Sequence, residues 1–320
     1  MGSVQYQYAI IWFALGVTLI VPLLIFIRYN VNVDKTKPVD NSNIVLLSSE
    51  ETLGKIITRE NNLGWNILDE ETCQAKDNFV LKKILPLNVP IYIYNPNEDV
   101  HISRMIFNSG TWETPLVDKV VEAMKLHPEA VFIDIGANIG MYSMTMAALG
   151  YRVIAVDCNI ENVMRLCASA RKANVTNKMS IIHNGISDKR SVLRLIKSTE
   201  PNVGGMGVEQ ISSTSNITHN LTANAILLDD LLEIFPIKSA IIKMDVEKHE
   251  DEILKGAKIF FEKVKVETVL LEFRFHAKDE TGKFIIDFFD KYGLAPDLSK
   301  LVNASDYSTW PGDLIWSRKK

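Results

Sequence analysis

Asp134-Ile135-Gly136-Ala137-Asn138-Ile139-Gly140 joins a carboxylate to two glycines, and Asp157 follows about twenty residues later. Glycines at such a turn let the backbone bend sharply and approach a ligand without an intervening Cβ. A carboxylate at the distance of Asp157 accepts hydrogen bonds from both ribose hydroxyls of an adenosine. Dinucleotides and S-adenosyl-L-methionine both use that arrangement, and charge separates them. A pyrophosphate wants neutral glycines and helix N–H groups in G-x-G-x-x-G spacing. Here the turn opens on Asp134 with G-x-x-x-G spacing, which repels a pyrophosphate and attracts the ammonium and sulfonium of S-adenosyl-L-methionine. Asp134, Gly136, Asn138, Gly140 and Asp157 are therefore the expected cofactor-binding residues.

Ile242-Lys243-Met244-Asp245-Val246-Glu247-Lys248-His249-Glu250 carries the second concentration of reactive side chains. Methyl transfer to a hydroxyl is an in-line displacement that needs alignment of the acceptor oxygen and removal of a proton. Asp245 is the natural carboxylate to hold or deprotonate an acceptor. His249 titrates near neutrality and is the rival base, and Glu250 could orient either one. In a purely structural role, Glu247 and Glu250 favour a helix N-terminus and His249 faces solvent. Lys243 either pairs with a carboxylate or snorkels. Glu272 either borders the pocket or pairs with Arg274, and Lys243 and Glu272 are carried as acceptor-binding residues. No metal is expected, because consecutive strand and helix-cap positions diverge and no second cluster completes a shell.

The elements that must position these residues alternate in type. Val131–Ile135, Arg152–Val156 and Ser180–Asn184 read as buried strands. Met141–Leu149 reads as a helix, and Asn159 caps another running to about Ala173. Ala240–Met244 and Thr268–Phe273 are further strands around a helical stretch Asp251–Lys263, and Thr281–Tyr292 is a last helix. This is the order of a doubly wound, Rossmann-like parallel sheet, which binds ligands beyond the carboxyl ends of its strands. Ser198–Asn224, rich in Gly, Ser, Thr and Asn, reads either as a mobile surface loop or as a lid. Val89–Tyr94 is a strand in the less regular stretch before the sheet.

The chain has 320 residues, 47% hydrophobic and 23% charged, with net charge −4. That composition excludes a disordered or collagen-like chain, and a mildly acidic chain without a basic stretch argues against nucleic acid as a partner. Cys73, Cys158 and Cys167 are too few and too scattered for a disulfide framework or a zinc site. Tyr8–Ile27 holds no charged residue and is long enough for one N-terminal transmembrane helix. The expected division is 1–29 tail and anchor, 30–49 stem, 50–130 accessory segment and 131–320 catalytic domain. Arg28, Lys35 and Lys37 after the span favour a cytosolic domain. Sequons at Asn174, Asn216, Asn220 and Asn303 lean slightly towards the secretory lumen, since chance alone gives roughly two or three.

The chain from about residue 100 to 316 resembles the FkbM family of S-adenosyl-L-methionine-dependent methyltransferases. The resemblance rests on Asp134-Ile-Gly-Ala-Asn-Ile-Gly-Met-Tyr-Ser143, Asp157, Ile186-Ser187-Asp188, Asn202 with Gly204-Gly205, and Leu227-Leu228-Asp229-Asp230. It continues through Ile242–Glu247, Glu250, Leu254-Lys255-Gly256-Ala257 and Leu271-Glu272-Phe273, with Gly110-Thr111-Trp112-Glu113 upstream. Two departures stand out: Asp157-Cys158 replaces the family's Glu-Pro, and Lys248 replaces a glycine. The resemblance implies that Glu113 folds over the cofactor. With the anchor and stem, whose layout is like that of Golgi-resident glycan-modifying enzymes, it implies O-methylation of a glycan sugar by a lumenal domain. A cytosolic domain would instead suit a lipid or protein acceptor. The competing classes are a cofactor-binding module without turnover and an NAD-dependent oxidoreductase.

Overall fold

Apolar runs buried on both faces build the centre of the sheet, as parallel strands covered by helices require. In the computed structural model the described residues are 47–60, 64–197, 201–203, 206–211, 221–299 and 304–319. The strands among the described residues are β1 (Ile56–Glu60), β2 (Gly64–Ile67), β3 (Val80–Ile84), β4 (Val89–Ile93), β5 (Val131–Ile135), β6 (Val153–Asp157), β7 (Met179–His183), β8 (Gly185–Ile186), β9 (Ser191–Ile196), β10 (Gly207–Ile211), β11 (Thr222–Ile226), β12 (Ser239–Met244), β13 (Lys265–Glu272), β14 (Leu294–Pro296) and β15 (Asp313–Arg318). The helices are α1 (Ile102–Ser109), α2 (Thr114–Leu126), α3 (Met141–Ala148), α4 (Ile160–Lys172), α5 (Glu250–Lys255), α6 (Lys258–Lys263) and α7 (Glu280–Lys291).

Nine strands form one mixed sheet in the order β14-β15-β13-β12-β5-β6-β7-β1-β2. Its middle, β13 through β1, is parallel, and β15, β14 and β2 pair antiparallel at the edges. The strand order reverses between β5 and β12, so β5 and its two neighbours deliver their carboxyl ends to a crevice. Each face of the sheet carries its own core. One gathers Leu254, Phe260, Phe261, Ile285 and Phe289 from α5, α6 and α7. The other gathers Val120, Met124, Met144 and Leu166 from α2, α3 and α4, with Ile91 and Ile93 of the β3–β4 hairpin.

Asn159 caps α4, accepting from Glu161 N, and Arg171 and Lys172 sit in the last turn, where they complement the helix dipole. The hairpin is clamped onto α4 by Arg165, 2% exposed and stacked on the rings of Tyr94 at 3.7 Å and Phe79 at 4.2 Å. Residues 50–130 are thus structurally continuous with residues 131–320: β1 pairs directly with β7, and α2 packs on β12 and β13. The compact unit runs from Ile44 to Lys320.

Three expectations change. The helical stretch Asp251–Lys263 is two short helices broken at Gly256, where a Cβ would stand 2.3 Å from Ser187 O. The stretch Ser198–Asn224 is in part ordered strand: β10 and β11 flank β9, with β8 beyond β11, in a second sheet. Its residues 212–220, with Asn216 and Asn220, lie outside the described residues, as does Asn303. Third, Cys73 and Cys167, 94 residues apart, form a disulfide; their distance in sequence concealed a contact that the packing of residues 70–73 on α4 creates. Reducing it is expected to lower unfolding stability by roughly 3 kcal/mol, because a long loop is released in the unfolded chain. Denaturant titration with and without dithiothreitol measures this, and coincident curves would refute it.

Among the described residues no helix is long and apolar enough to cross a membrane. The Tyr8–Ile27 span, with the whole of 1–29 and most of the 30–49 stem, lies outside them.

Candidate active site

The turn after β5 is built on left-handed residues: Gly136 at φ 76°, Asn138 at 52° and Gly140 at 92°. A Cβ on Gly136 would stand 1.9 Å from Asp245 O, so only glycine lets the ends of β5 and β12 meet. A Cβ on Gly140 would meet Leu166 Cδ1 at 2.2 Å. Between this turn, β6 and the β9–β10 hairpin lies a cleft of about 360 Å³.

Asp157 closes one side. Its Oδ2 accepts from Asn138 N at 2.8 Å, and its Oδ1 accepts from Asn159 N at 2.8 Å and Asn162 Nδ2 at 3.1 Å. Burial pushes its carboxyl up to about 6, against those hydrogen bonds. Asn162 is itself held by Tyr94 Oη at 2.7 Å, so the segment that follows β4 braces the Asp157 carboxylate through one side chain. Cys158, Ile186, Leu193 and Val208 extend the wall on this side.

At the other end Glu113, left-handed at φ 47°, accepts from Tyr142 Oη at 2.8 Å. Burial raises its pKa. Trp112, Glu113 and Tyr142 all line the cleft. Asp134 does not. It is fully buried below the floor, taking Ser143 N at 3.1 Å and Ser143 Oγ at 2.6 Å on Oδ2, and burial raises its pKa. Its Oδ1 has no hydrogen-bond partner and lies 3.7 Å from Lys243 Nζ. The expected direct pairing of Asp134 with a ligand ammonium is not what the side chain shows: Asp134 lies inside β5, one residue before its end, and its carboxylate is turned onto Ser143 below the cleft.

Lys243 joins the two halves. Its Nζ donates to Gly136 O at 3.2 Å and lies 3.3 Å from Asp245 Oδ2. Burial opposes its charge, but Asp245, Asp134 and Glu113 outweigh it and raise the lysine pKa. Its expected pairing with a carboxylate is realised twice. Tied down in this way, its ammonium is directed at Asp245 and Asp134. The Asp245 side chain, 38% exposed, reaches the cleft.

His249 also lines the cleft, with Nε2 2.9 Å from Ser187 Oγ, and burial lowers its pKa. Gln210 of β10 donates to the same Ser187 Oγ at 2.8 Å. Glu250 is placed elsewhere. It is fully buried, accepting from Val246 N at 3.0 Å and sitting 2.7 Å from His276 Nε2. The expected catalytic role of Glu250 is therefore corrected to a positioning one: it starts α5, whose first residue points into the core and fixes the loop carrying Asp245.

Glu272, 7% exposed, borders the cleft and also pairs with Arg274 Nε at 2.7 Å, so both alternatives hold together. Burial and the Asp245 charge push it up to about 9 despite Arg274, and its Oε2 has no partner. A folded-state value above the unfolded 4.5 means the native state keeps the proton longer. The resulting stability is present below pH 4.5 and is lost as pH rises towards about 9. Glu272→Gln, which mimics the protonated acid, is expected to raise the melting temperature at pH 8 and flatten its fall with pH. An unchanged slope between pH 5 and 9 would refute the assignment.

The sequence reading gave no cofactor-site role to Tyr142, Asn162, Ser187 or Phe275. Only the coil-to-helix position of Asn159 signalled its neighbourhood. The residues present fit an adenosine-type cofactor: a buried carboxylate with oxygens at the cleft, a turn that any Cβ would fill, an apolar wall and an acidic far end.

A model of the methyltransferase FkbM domain matches residues 134–294, half of the chain. The chain belongs to the FkbM methyltransferase family. It is an S-adenosyl-L-methionine-dependent methyltransferase, and the dinucleotide alternative is set aside. The matched stretch of this FkbM methyltransferase runs from Asp134 through Asp157, Asp245 and Glu272, and leaves Glu113 upstream. No curated protein matches the chain. Among solved structures it is similar to the O-methyltransferase from Bacillus cereus in complex with SAH, at 11% identity and TM-score 0.40, covering 66% of this chain and 83% of that one. It is also similar to magnesium protoporphyrin IX methyltransferase from Synechocystis with bound SAM, at 14% identity and TM-score 0.37, covering 64% and 79%.

Proposed function

We propose that the FkbM domain methylates a hydroxyl on a glycan sugar, from the lumenal side of a secretory membrane to which Tyr8–Ile27 anchors it. The observation that carries the chemistry is the Asp245 carboxylate, exposed to the cleft at the end of β12 and held by Lys243 at 3.3 Å. When bound, S-adenosyl-L-methionine supplies an electrophilic methyl on a cationic sulfur. Asp157, Asn138 and the Gly136 turn would hold its adenosine, and Glu113, with the charge of Asp134 beneath, would face its ammonium end. Asp245 would take the proton of the acceptor hydroxyl as its oxygen forms the bond to the methyl and the sulfur–methyl bond breaks, with S-adenosyl-homocysteine as the leaving group. Lys243 fixes the direction of that carboxylate. His249, kept neutral by burial, is the alternative proton acceptor at Nε2, once its contact with Ser187 is exchanged.

A sugar acceptor is supported by the polar rim of Asp245, Glu247, Glu272 and Arg274, beside two aromatic side chains, Trp112 and Phe275, that also line the cleft. Hydroxyls need such donors and acceptors, and a ring's apolar face stacks on aromatics. A lumenal position is supported by the Cys73–Cys167 disulfide, since such bonds persist in oxidising compartments. Asn174, in an exposed turn after α4, leaves its sequon accessible.

The test is methyl-tritiated S-adenosyl-L-methionine added to permeabilised membranes carrying the full chain. Label is expected in released glycans, as O-methyl sugars on hydrolysis. Label in lipid or peptide fractions overturns the acceptor reading.

A further inference from the structure

A second hollow, of about 310 Å³, opens beside the cofactor cleft and shares Asn202, Glu247 and Phe275 with it. Its other walls come from Lys197 at the end of β9, Gly207 at the start of β10, and Lys248 in the loop after β12. The hollow therefore adjoins the cleft that Asp245 lines. Its charge differs from that of the cleft. The cleft is lined by the carboxyl residues Asp245, Glu247 and Glu272 together with Lys243 and Arg274, whereas among the described residues the hollow is lined by two lysines, Lys197 and Lys248, and one carboxyl residue, Glu247. Among the described residues neither Lys197 nor Lys248 makes an ion pair.

The backbone here is held against its own preference. Glu247 at φ 55° and Lys248 at φ 79° are consecutive non-glycine residues in the left-handed region, which L residues avoid. Such conformations persist where the surroundings impose them, and they cluster at ligand clamps. The surroundings are visible: Glu250 takes Val246 N before the pair, and His249 rests on Ser187 after it. The strain thus falls on two of the residues that line the hollow. Phe275, 38% exposed, stands at the junction of the two spaces.

Resting on the reading of the chain as a sugar O-methyltransferase, we infer that this hollow is an acceptor subsite for an anionic sugar, Lys197 and Lys248 receiving its carboxylate, sulfate or phosphate and Phe275 its ring. Ammonium groups and an oxyanion form charge-assisted hydrogen bonds that are stronger than neutral ones. A neutral sugar would leave both lysines without a partner. The site therefore sets specificity for the acceptor and leaves cofactor binding to Asp157 and the Gly136 turn.

The experiment measures methyl transfer by the full chain to methyl β-D-glucopyranoside, methyl β-D-glucuronide and glucose 6-sulfate. An anionic sugar is expected to exceed the neutral glucoside about tenfold in kcat/KM at low salt, and the advantage should shrink as salt rises. Glucuronide and sulfate, compared with each other, identify the preferred anion. The double variant Lys197→Ala with Lys248→Gly is expected to bring the anionic-to-neutral ratio close to one through KM. Equal use of neutral and anionic sugars, or a ratio that the double variant leaves unchanged, overturns the subsite while sparing sugar methylation. If no sugar is methylated, calorimetry of the glucuronide on the protein loaded with S-adenosyl-homocysteine separates the two ideas. Binding lost in the double variant upholds the subsite and removes the sugar-methylation reading; no binding removes both.

Discussion

Asp245→Asn is expected to lower kcat for methyl transfer by about 10²- to 10⁴-fold, the range for a positioned general base, with S-adenosyl-L-methionine affinity within a few-fold of the parent. The amide keeps an oxygen for Lys243 Nζ, 3.3 Å away in the parent, so the local geometry survives. What is lost is a carboxylate able to take a proton at the mouth of the cleft. Single-turnover kinetics with calorimetry of cofactor binding separates the two effects. A variant with parental kcat removes Asp245 from the chemistry. A fall seen instead only in His249→Ala moves the proton to that imidazole.

Gly136→Ala should abolish cofactor binding, lowering affinity by at least about a hundredfold, and cost about 3 kcal/mol of stability. The added carbon would meet Asp245 O at 1.9 Å, and backbone cannot rotate out of the way as a side chain can. Relief requires β5 and β12 to part, which also moves Lys243 and Asp245. Gly150→Ala is the control. Gly150 shares the left-handed conformation at φ 94° but has nothing within 4 Å of a built Cβ. It should show only the conformational penalty, roughly 1 kcal/mol, and parental affinity. Equal affinities in the two variants would mean the Gly136 turn does not hold the cofactor.

The strands β5, β6, β7, β12 and β13 were legible because apolar runs buried on both faces leave no other reading, and the cap at Asn159 was legible from its side chain alone. That Asp157 and Asp245 line one cleft was legible for the same reason: strand ends in such a sheet face one crevice. Direction was harder to read. Glu250 sits five residues after Asp245, and only the start of α5 decides that it points inward to His276 instead of outward. Asp134 looked like a ligand and proved to be a buried counter-charge, because depth along a strand is not written in spacing. The β10 and β11 strands, Gly207–Ile211 and Thr222–Ile226, were hidden because they are short and the stretch that separates them is rich in Ser, Thr and Asn, which reads as loop. Cys73 and Cys167 could not be joined without knowing that residues 70–73 fold onto α4.

β1 enters the sheet beside β7, and Arg59 meets Asn184 across a separation of 125 residues. At ~5–20 residues per second of synthesis, the first strand made waits on the order of ten seconds for its neighbour to leave the ribosome. Ile56 and Ile57, 1% and 0% exposed in the finished fold, spend that interval with β2 on one edge and no strand on the other. Cys73 waits for Cys167 in the same way. The N-terminal strand is thus a late closing step in assembly, and a nascent chain halted before residue 179 carries an adhesive edge that a holding chaperone must cover.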